Sequence, residues 1–243
     1  MKIKRFAALL LFAAMLALNL TSCGAKDYCE YADDRDIEGR EIYYAEISVR
    51  DYGKIVVLLD ATTAPITVDN FISLAKSGFY NGLKFHRIIE DFMIQGGDPK
   101  GDGTGGAKNP DGTSKTIKGE FAENGYENDI SHLRGVISMA RGQSRDSASS
   151  QFFICNADST ESLDGKYAAF GYVVSGMSVV DDITDEVFPK TAYAEFYGNE
   201  DIDPYYRVPY HYIWAQWGNG AIVNDADKPV IEYIEILDYV PEY

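Results

Sequence analysis

One arginine and one neutral amide, Arg87 and Gln95, are set among apolar residues: Phe85, Ile88 and Ile89 around the first, Phe92, Met93 and Ile94 before the second. The run ends on Gly96, Gly97 and Asp98. It reads as two short strands joined by a turn at Glu90 and Asp91, displaying Arg87 and Gln95 among hydrophobic side chains. A cationic donor and an amide displayed among apolar side chains could hydrogen-bond a polar atom of a ligand held in an apolar pocket. Taken alone, the pattern is also that of a core hairpin whose arginine snorkels to water.

Other chemistries find little support. His86, His132 and His211 have no metal-ligand spacing and no Cys-x-x-Cys is present, so neither a metal nor a cofactor is expected. Gly101 to Gly106 matches the letters of a dinucleotide fingerprint, but Asn109, Pro110 and Gly112 follow where a phosphate-binding helix would have to begin. Ser73 and Lys76 match the Ser-x-x-Lys of penicillin-recognising enzymes, whose companion motifs are missing. The chain carries 22 basic and 38 acidic residues, a formal charge of −16. Such a surface repels phosphate backbones, so nucleic acid is not an expected partner.

The elements that must position this site can be read in order. Ile42 to Val49 and Lys54 to Leu59 are strand-like around a turn at Asp51, Tyr52 and Gly53, predicting an opening hairpin. Thr62, Thr63 and Pro65 start a helix that Gly78 ends, with Val68, Phe71, Ile72 and Ala75 on one stripe. Strands are expected at Val136 to Met139, Gln151 to Asn156 and Phe170 to Val174, then a short second helix around Met177, Val180 and Ile183. Residues 189–228 break the pattern with nine aromatics, Trp214 and Trp217 among them. This segment is expected to be an insertion, either packed on the domain or offering a partner surface. Val230 to Leu237 supplies the last strand.

Residues 1–22 have the form of a signal peptide: Lys2, Lys4 and Arg5, an apolar run from Phe6 to about Leu18, then Leu20, Thr21, Ser22 and Cys23. Leu20 to Cys23 is similar to the lipobox of bacterial lipoproteins, which implies lipidation at Cys23 and a membrane anchor on an exported protein. Without those 22 residues, which hold three of the basic groups, the balance is 19 basic to 38 acidic, a formal −19. Residues 23–40 are acidic with no apolar period and are expected to be a flexible tether. Residues 41–243 then form one domain. Cys29 falls in the tether and Cys155 inside a strand; a disulfide between them is conceivable, and a small core residue is the simpler reading of Cys155.

Three ordered blocks resemble the cyclophilins, the barrel-shaped peptidyl-prolyl cis-trans isomerases. They are Phe85 to Asp98, then Gly135 to Arg141 with Ser150 to Ile154, then Leu163 to Tyr167 through Phe170 and Gly171. The resemblance implies a mainly β fold, a closed antiparallel eight-stranded barrel capped by two α-helices, and isomerisation of X-Pro bonds in exported proteins. It casts Arg87 as the donor to the proline nitrogen, Phe92, Met93, Phe153 and Leu163 as the proline pocket, and Gln95 as the amide steadying the substrate backbone. Ala140, Arg141 and Gln151 would line the groove, with His86 and Tyr167 completing the substrate contacts. Ser162 stands where the best-known members have a tryptophan, and Tyr167 where they have a histidine. The first difference speaks against tight cyclosporin binding. The alternative is a binding lipoprotein, slowly catalytic or not at all, that holds partners with this pocket or with the aromatic insertion.

Overall fold

The computed structural model describes residues 27–29, 37–197, 220–222 and 224–241, with side chains for all of these except 188–197. The predicted signal segment 1–22, Cys23, most of the predicted tether, and the aromatics from Tyr205 to Trp217 lie outside the described residues.

Strands β1 (Ile42–Val49) and β2 (Gly53–Asp60) form the expected hairpin, paired from Ile42 with Asp60 to Val49 with Gly53. Its turn puts Asp51 at φ 67°, a conformation that short polar side chains tolerate. Alternate residues face opposite sides of the sheet. Ala45, Ile47, Val49, Ile55, Val57 and Leu59 enter the main core. Tyr44 and Leu58 join a second cluster with Val136, Tyr172 and Val174.

Helix α1 (Pro65–Lys76) begins on its proline, where a missing N–H costs nothing. Ala64 provides no side-chain cap, and the buried carboxylate of Glu120, more than fifty residues away, replaces it. It accepts from Ile66 N at 3.0 Å, Thr67 N at 2.8 Å and Thr67 Oγ1 at 2.7 Å. Val68, Phe71, Leu74 and Ala75 face inward, and Ile72, expected on the same stripe, packs at its edge. Phe71 is the hub of an aromatic cluster, with ring centroids 5.3 Å from Tyr80, 5.5 Å from Phe152 and 5.3 Å from Phe170.

The remaining strands are β3 (Arg87–Ile89), β4 (Met93–Gly96), β5 (Val136–Met139), β6 (Phe152–Cys155), β7 (Ala169–Ser175) and β8 (Ile231–Leu237). The eight lie in the order β3-β4-β6-β5-β7-β2-β1-β8, with every adjacent pair antiparallel, and curl into a half-barrel. A single helical turn, α2 (Thr160–Leu163), precedes β7, and α3 (Met177–Tyr197) follows it. Ahead of β3, Gly82 N donates to Ile231 O, Ile231 N to Leu83 O and Phe85 N to Pro229 O, so the two outer strands are tied near one end.

Two expectations need correcting. The second helix is 21 residues long instead of short, and it runs past Pro189, where the insertion was expected to begin. Its core-facing residues Met177, Val180, Ile183 and Val187 form a continuous apolar stripe whose burial carries the helix up to the proline. Likewise the stretch read as a loose tether contains an ordered foot at residues 27–29. Asp27 Oδ2 accepts from Gly176 N and Oδ1 from Ser178 N, while its carbonyl accepts from Met177 N, so it caps α3. Burial opposes ionisation of Asp27, yet the hydrogen bonds from Ser178 and Gly176 and the charge of Arg134 hold its carboxyl below the usual range. Cys29 donates its N–H to Val173 O and is buried over Gly135, where an added Cβ would come within 2.6 Å of the Cys29 Cβ. Cys29 and Cys155 are both buried thiols, and no disulfide joins them.

Candidate active site

The β3–β4 hairpin carries both polar candidates, Arg87 and Gln95. Arg87 pairs with Gln95 across it, and the turn places Asp91 at φ 54°. Cross-strand partners on one face lie close enough for their side chains to meet. Arg87 Nη1 donates to Gln95 Oε1 at 3.1 Å and passes 4.0 Å from Met93 Sδ. Gln95 Nε2 donates to Gln151 Oε1 at 2.8 Å, and Gln151 Nε2 to the carbonyls of Gly105 at 2.7 Å and Gly103 at 3.1 Å. The arginine is thus joined to a chain of amides anchored on a loop backbone. Each amide is oriented by its neighbours, and the guanidinium is held in place before a ligand arrives.

That loop has its own support. Buried Asp98 accepts from Lys100 N at 2.8 Å and Gly103 N at 2.7 Å, fixing the turn that returns at Gly105. A Cβ on Gly105 would fall 1.9 Å from Asp98 Oδ1, so only glycine permits this approach.

The apolar floor comes from three elements. Met93 of β4 and Phe153 of β6 share a cluster with Leu163 of α2, and Phe92, Ala140 and Tyr167 pack against it. The Tyr167 ring meets Phe153 edge-on at 6.0 Å. A cavity of about 520 Å³ opens above this floor, large enough for a proline and its neighbours. Ten of the eleven side chains expected from sequence line it: His86, Arg87, Phe92, Met93 and Gln95 from the hairpin side, Ala140, Arg141, Phe153, Leu163 and Tyr167 from the other. Gln151 instead stands behind Gln95 and faces a second, adjoining cavity of about 270 Å³. Ser162 turns its hydroxyl back to Ser159 O and lines neither.

Sequence reasoning did not single out Asp102 and Ala221, which also line the first cavity. Ala221 arrives because Gly220 to Ile222 run along the outer side of β3, with Ile88 N donating to Gly220 O and Ile222 N to His86 O. Nothing local in the sequence announces that return.

Two histidines differ in role. His86 is buried at the cavity wall, and burial pushes its imidazole below the ordinary value despite the opposing charge of Asp98. It is a neutral contact near pH 7. His132 lies under the floor, stacked on Phe153 at 6.1 Å. Its Nδ1 is 2.8 Å from Asp164 Oδ1 and its Nε2 2.9 Å from Ser138 Oγ, so the carboxylate assigns the proton to Nδ1 and the serine hydroxyl donates to Nε2. Burial lowers the His132 pKa, outweighing Asp164. A lowered histidine pKa means the unfolded chain binds more protons, so stability is full above about pH 6.5 and falls as the pH drops below it. The urea midpoint is therefore expected to decline on acidification from pH 7 to 5, and less steeply in His132→Gln. An equal slope in that variant would show that His132 is not responsible.

No cluster of His, Cys, Asp or Glu among the described residues could hold a metal ion, and no described helix is long and apolar enough to cross a membrane. The family model for cyclophilin type peptidyl-prolyl cis-trans isomerases matches residues 44–196. Peptidyl-prolyl cis-trans isomerase A of Dickeya dadantii is 43% identical over 161 residues, 65% of this chain and 74% of that protein. A peptidyl-prolyl cis-trans isomerase of Helicobacter pylori is 46% identical over 142 residues, 58% of this chain and 79% of that one. Among solved structures, a Cryptosporidium parvum cyclophilin type isomerase superposes with a TM-score of 0.57 at 23% identity, covering 82% of this chain and all of that one. The fold, the matched span and these relatives together place the chain in the family of cyclophilin-type peptidyl-prolyl cis-trans isomerases.

Proposed function

We propose that this isomerase seats the proline of an X-Pro segment on Met93, Phe153 and Leu163, beside Phe92, and that Arg87 donates to the proline nitrogen as the bond rotates. X-Pro isomerisation is slow because turning the bond breaks amide resonance, a barrier of about 18–20 kcal/mol. At the midpoint the nitrogen lone pair has left the π system and becomes an acceptor. A donor aimed at it favours the twisted state over either planar one, which is the condition for catalysis. A charge-assisted hydrogen bond contributes about 1.5–3 kcal/mol, or roughly 10- to 200-fold in rate if made only then. The observation that carries this reading is the 3.1 Å bond from Arg87 to Gln95, which holds a guanidinium over an apolar floor.

The bonds from Gly82, Phe85 and Ile231 between the outer strands support reading the sheet as a closed barrel, which would keep this floor rigid. The signal-like residues 1–22 and the lipobox-like stretch ending at Cys23 support export and a lipid anchor, with proline-containing segments of exported proteins as substrates. Accelerated cis-to-trans conversion of a short X-Pro peptide by the protein tests the activity. Lipidation is tested apart from it: mass spectrometry of the protein from a bacterial host should show a chain beginning at an acylated Cys23. An unmodified Cys23 would remove the anchor from the proposal.

A further inference from the structure

The second cavity adjoins the first along the groove, and Gln95, Gly103, Thr104, Ala140 and Arg141 line both. Among the described residues the rest of its wall is glycine, serine and Gln151, and Arg141 is the one charged residue that lines it. Asp102 lines the first cavity but not this one, and its carboxylate accepts from Thr104 N and Oγ1.

Arg141 is fixed in advance. Its Nε donates to Lys166 O at 2.9 Å and its Nη1 to Gly142 O at 3.0 Å. Its Cζ lies 4.7 Å from the Tyr167 ring centroid and 5.1 Å from that of Phe121, so the guanidinium rests on two aromatic faces. Two of its five N–H groups are used by these carbonyls, and the rest remain for a ligand. A cation so held loses little side-chain freedom when it binds an anion.

We infer that Arg141 gives this isomerase a preference for an acidic side chain next to the substrate proline. The inference rests on the first cavity taking the proline, since a neighbouring side chain then overlies the second. A carboxylate there gains charge-assisted hydrogen bonds, and an ammonium meets a like charge. The chain's formal charge of −16 works against acidic peptides. That repulsion is spread over the surface and screened beyond about 8 Å at physiological ionic strength, so the local contact prevails in the bound state.

The test is kcat/KM for short peptides carrying Glu, Gln or Lys at either of the two positions before the proline or the one after it. At one of these positions Glu should exceed Gln by about fivefold, with Lys below Gln. In Arg141→Gln the Glu to Gln ratio should fall towards unity, and in Arg141→Lys part of it should remain. Each ratio is taken within one protein, so a general loss of turnover from disturbing Tyr167 cancels. Ratios near unity in the wild type, or an undiminished ratio in folded Arg141→Gln, would overturn the inference. Failure of the wild type to accelerate even the Gln peptides would overturn the pocket assignment as well.

Discussion

Replacing Arg87 with alanine is expected to lower kcat/KM for an X-Pro peptide at least tenfold while the protein stays folded. On the mechanism proposed above, the activity loss follows from removing a donor whose hydrogen bond strengthens only as the proline nitrogen pyramidalises, about 1.5–3 kcal/mol of transition-state stabilisation. The fold should survive because the Arg87 side chain is only partly buried, and its backbone pairing with Gln95 does not depend on the guanidinium. Gln95 loses a partner but keeps its bond to Gln151, and it lines an open cavity. Arg87→Lys should recover little: a point charge on a flexible stem lacks the planar fork that lets one arginine bond Gln95 and the substrate together. The assay is peptide turnover with circular dichroism beside it. A folded Arg87→Ala protein with wild-type kcat/KM would remove Arg87 from the mechanism.

Phe152→Ala should cost about 4 kcal/mol of stability, the largest effect expected from any single truncation in the core. Phe152 is fully buried and meets three rings edge-on, with centroids 5.5 Å from Phe71, 5.6 Å from Tyr80 and 6.0 Å from Phe85. Those rings come from α1, the loop after it and the approach to β3, so no one element can move in to fill the space. Urea unfolding followed by far-ultraviolet circular dichroism measures the loss, and a change below about 1 kcal/mol would show that the cluster collapses around the gap. Function should suffer too. Phe152 and Phe153 are consecutive on β6 and face opposite sides, one anchoring the core and the other flooring the substrate cavity. Loosening the first therefore blurs the position of the second.

The hairpin bearing Arg87 and Gln95 was legible because a strand, a tight turn and a strand follow from contiguous residues. The same holds for β1 with β2, and for α1, where Pro65 and Gly78 mark the two ends. Elsewhere local signals ran out. The length of α3 was not legible because Met177, Val180 and Ile183 mark only its first turns, and the aromatic-rich stretch from Pro189 reads as a separate insertion although the helix runs into it. The tether was read from acidity, which does not reveal that Asp27 meets the backbone N–H groups opening α3. The cap on α1 was invisible as well, since Glu120 is remote in sequence.

By itself, then, the order of residues determined which side chains come to line the first cavity and which short elements bear them, because turns, helix ends and strand alternation depend on near neighbours. The tertiary structure alone decided that Gln151 stands behind Gln95 instead of in the first cavity, that Ala221 returns to the rim, and that Arg141 rests between Phe121 and Tyr167. Each of these depends on strand order and loop closure, which bring together residues tens of positions apart. No local propensity encodes such contacts; they follow from burying both faces of one curved sheet.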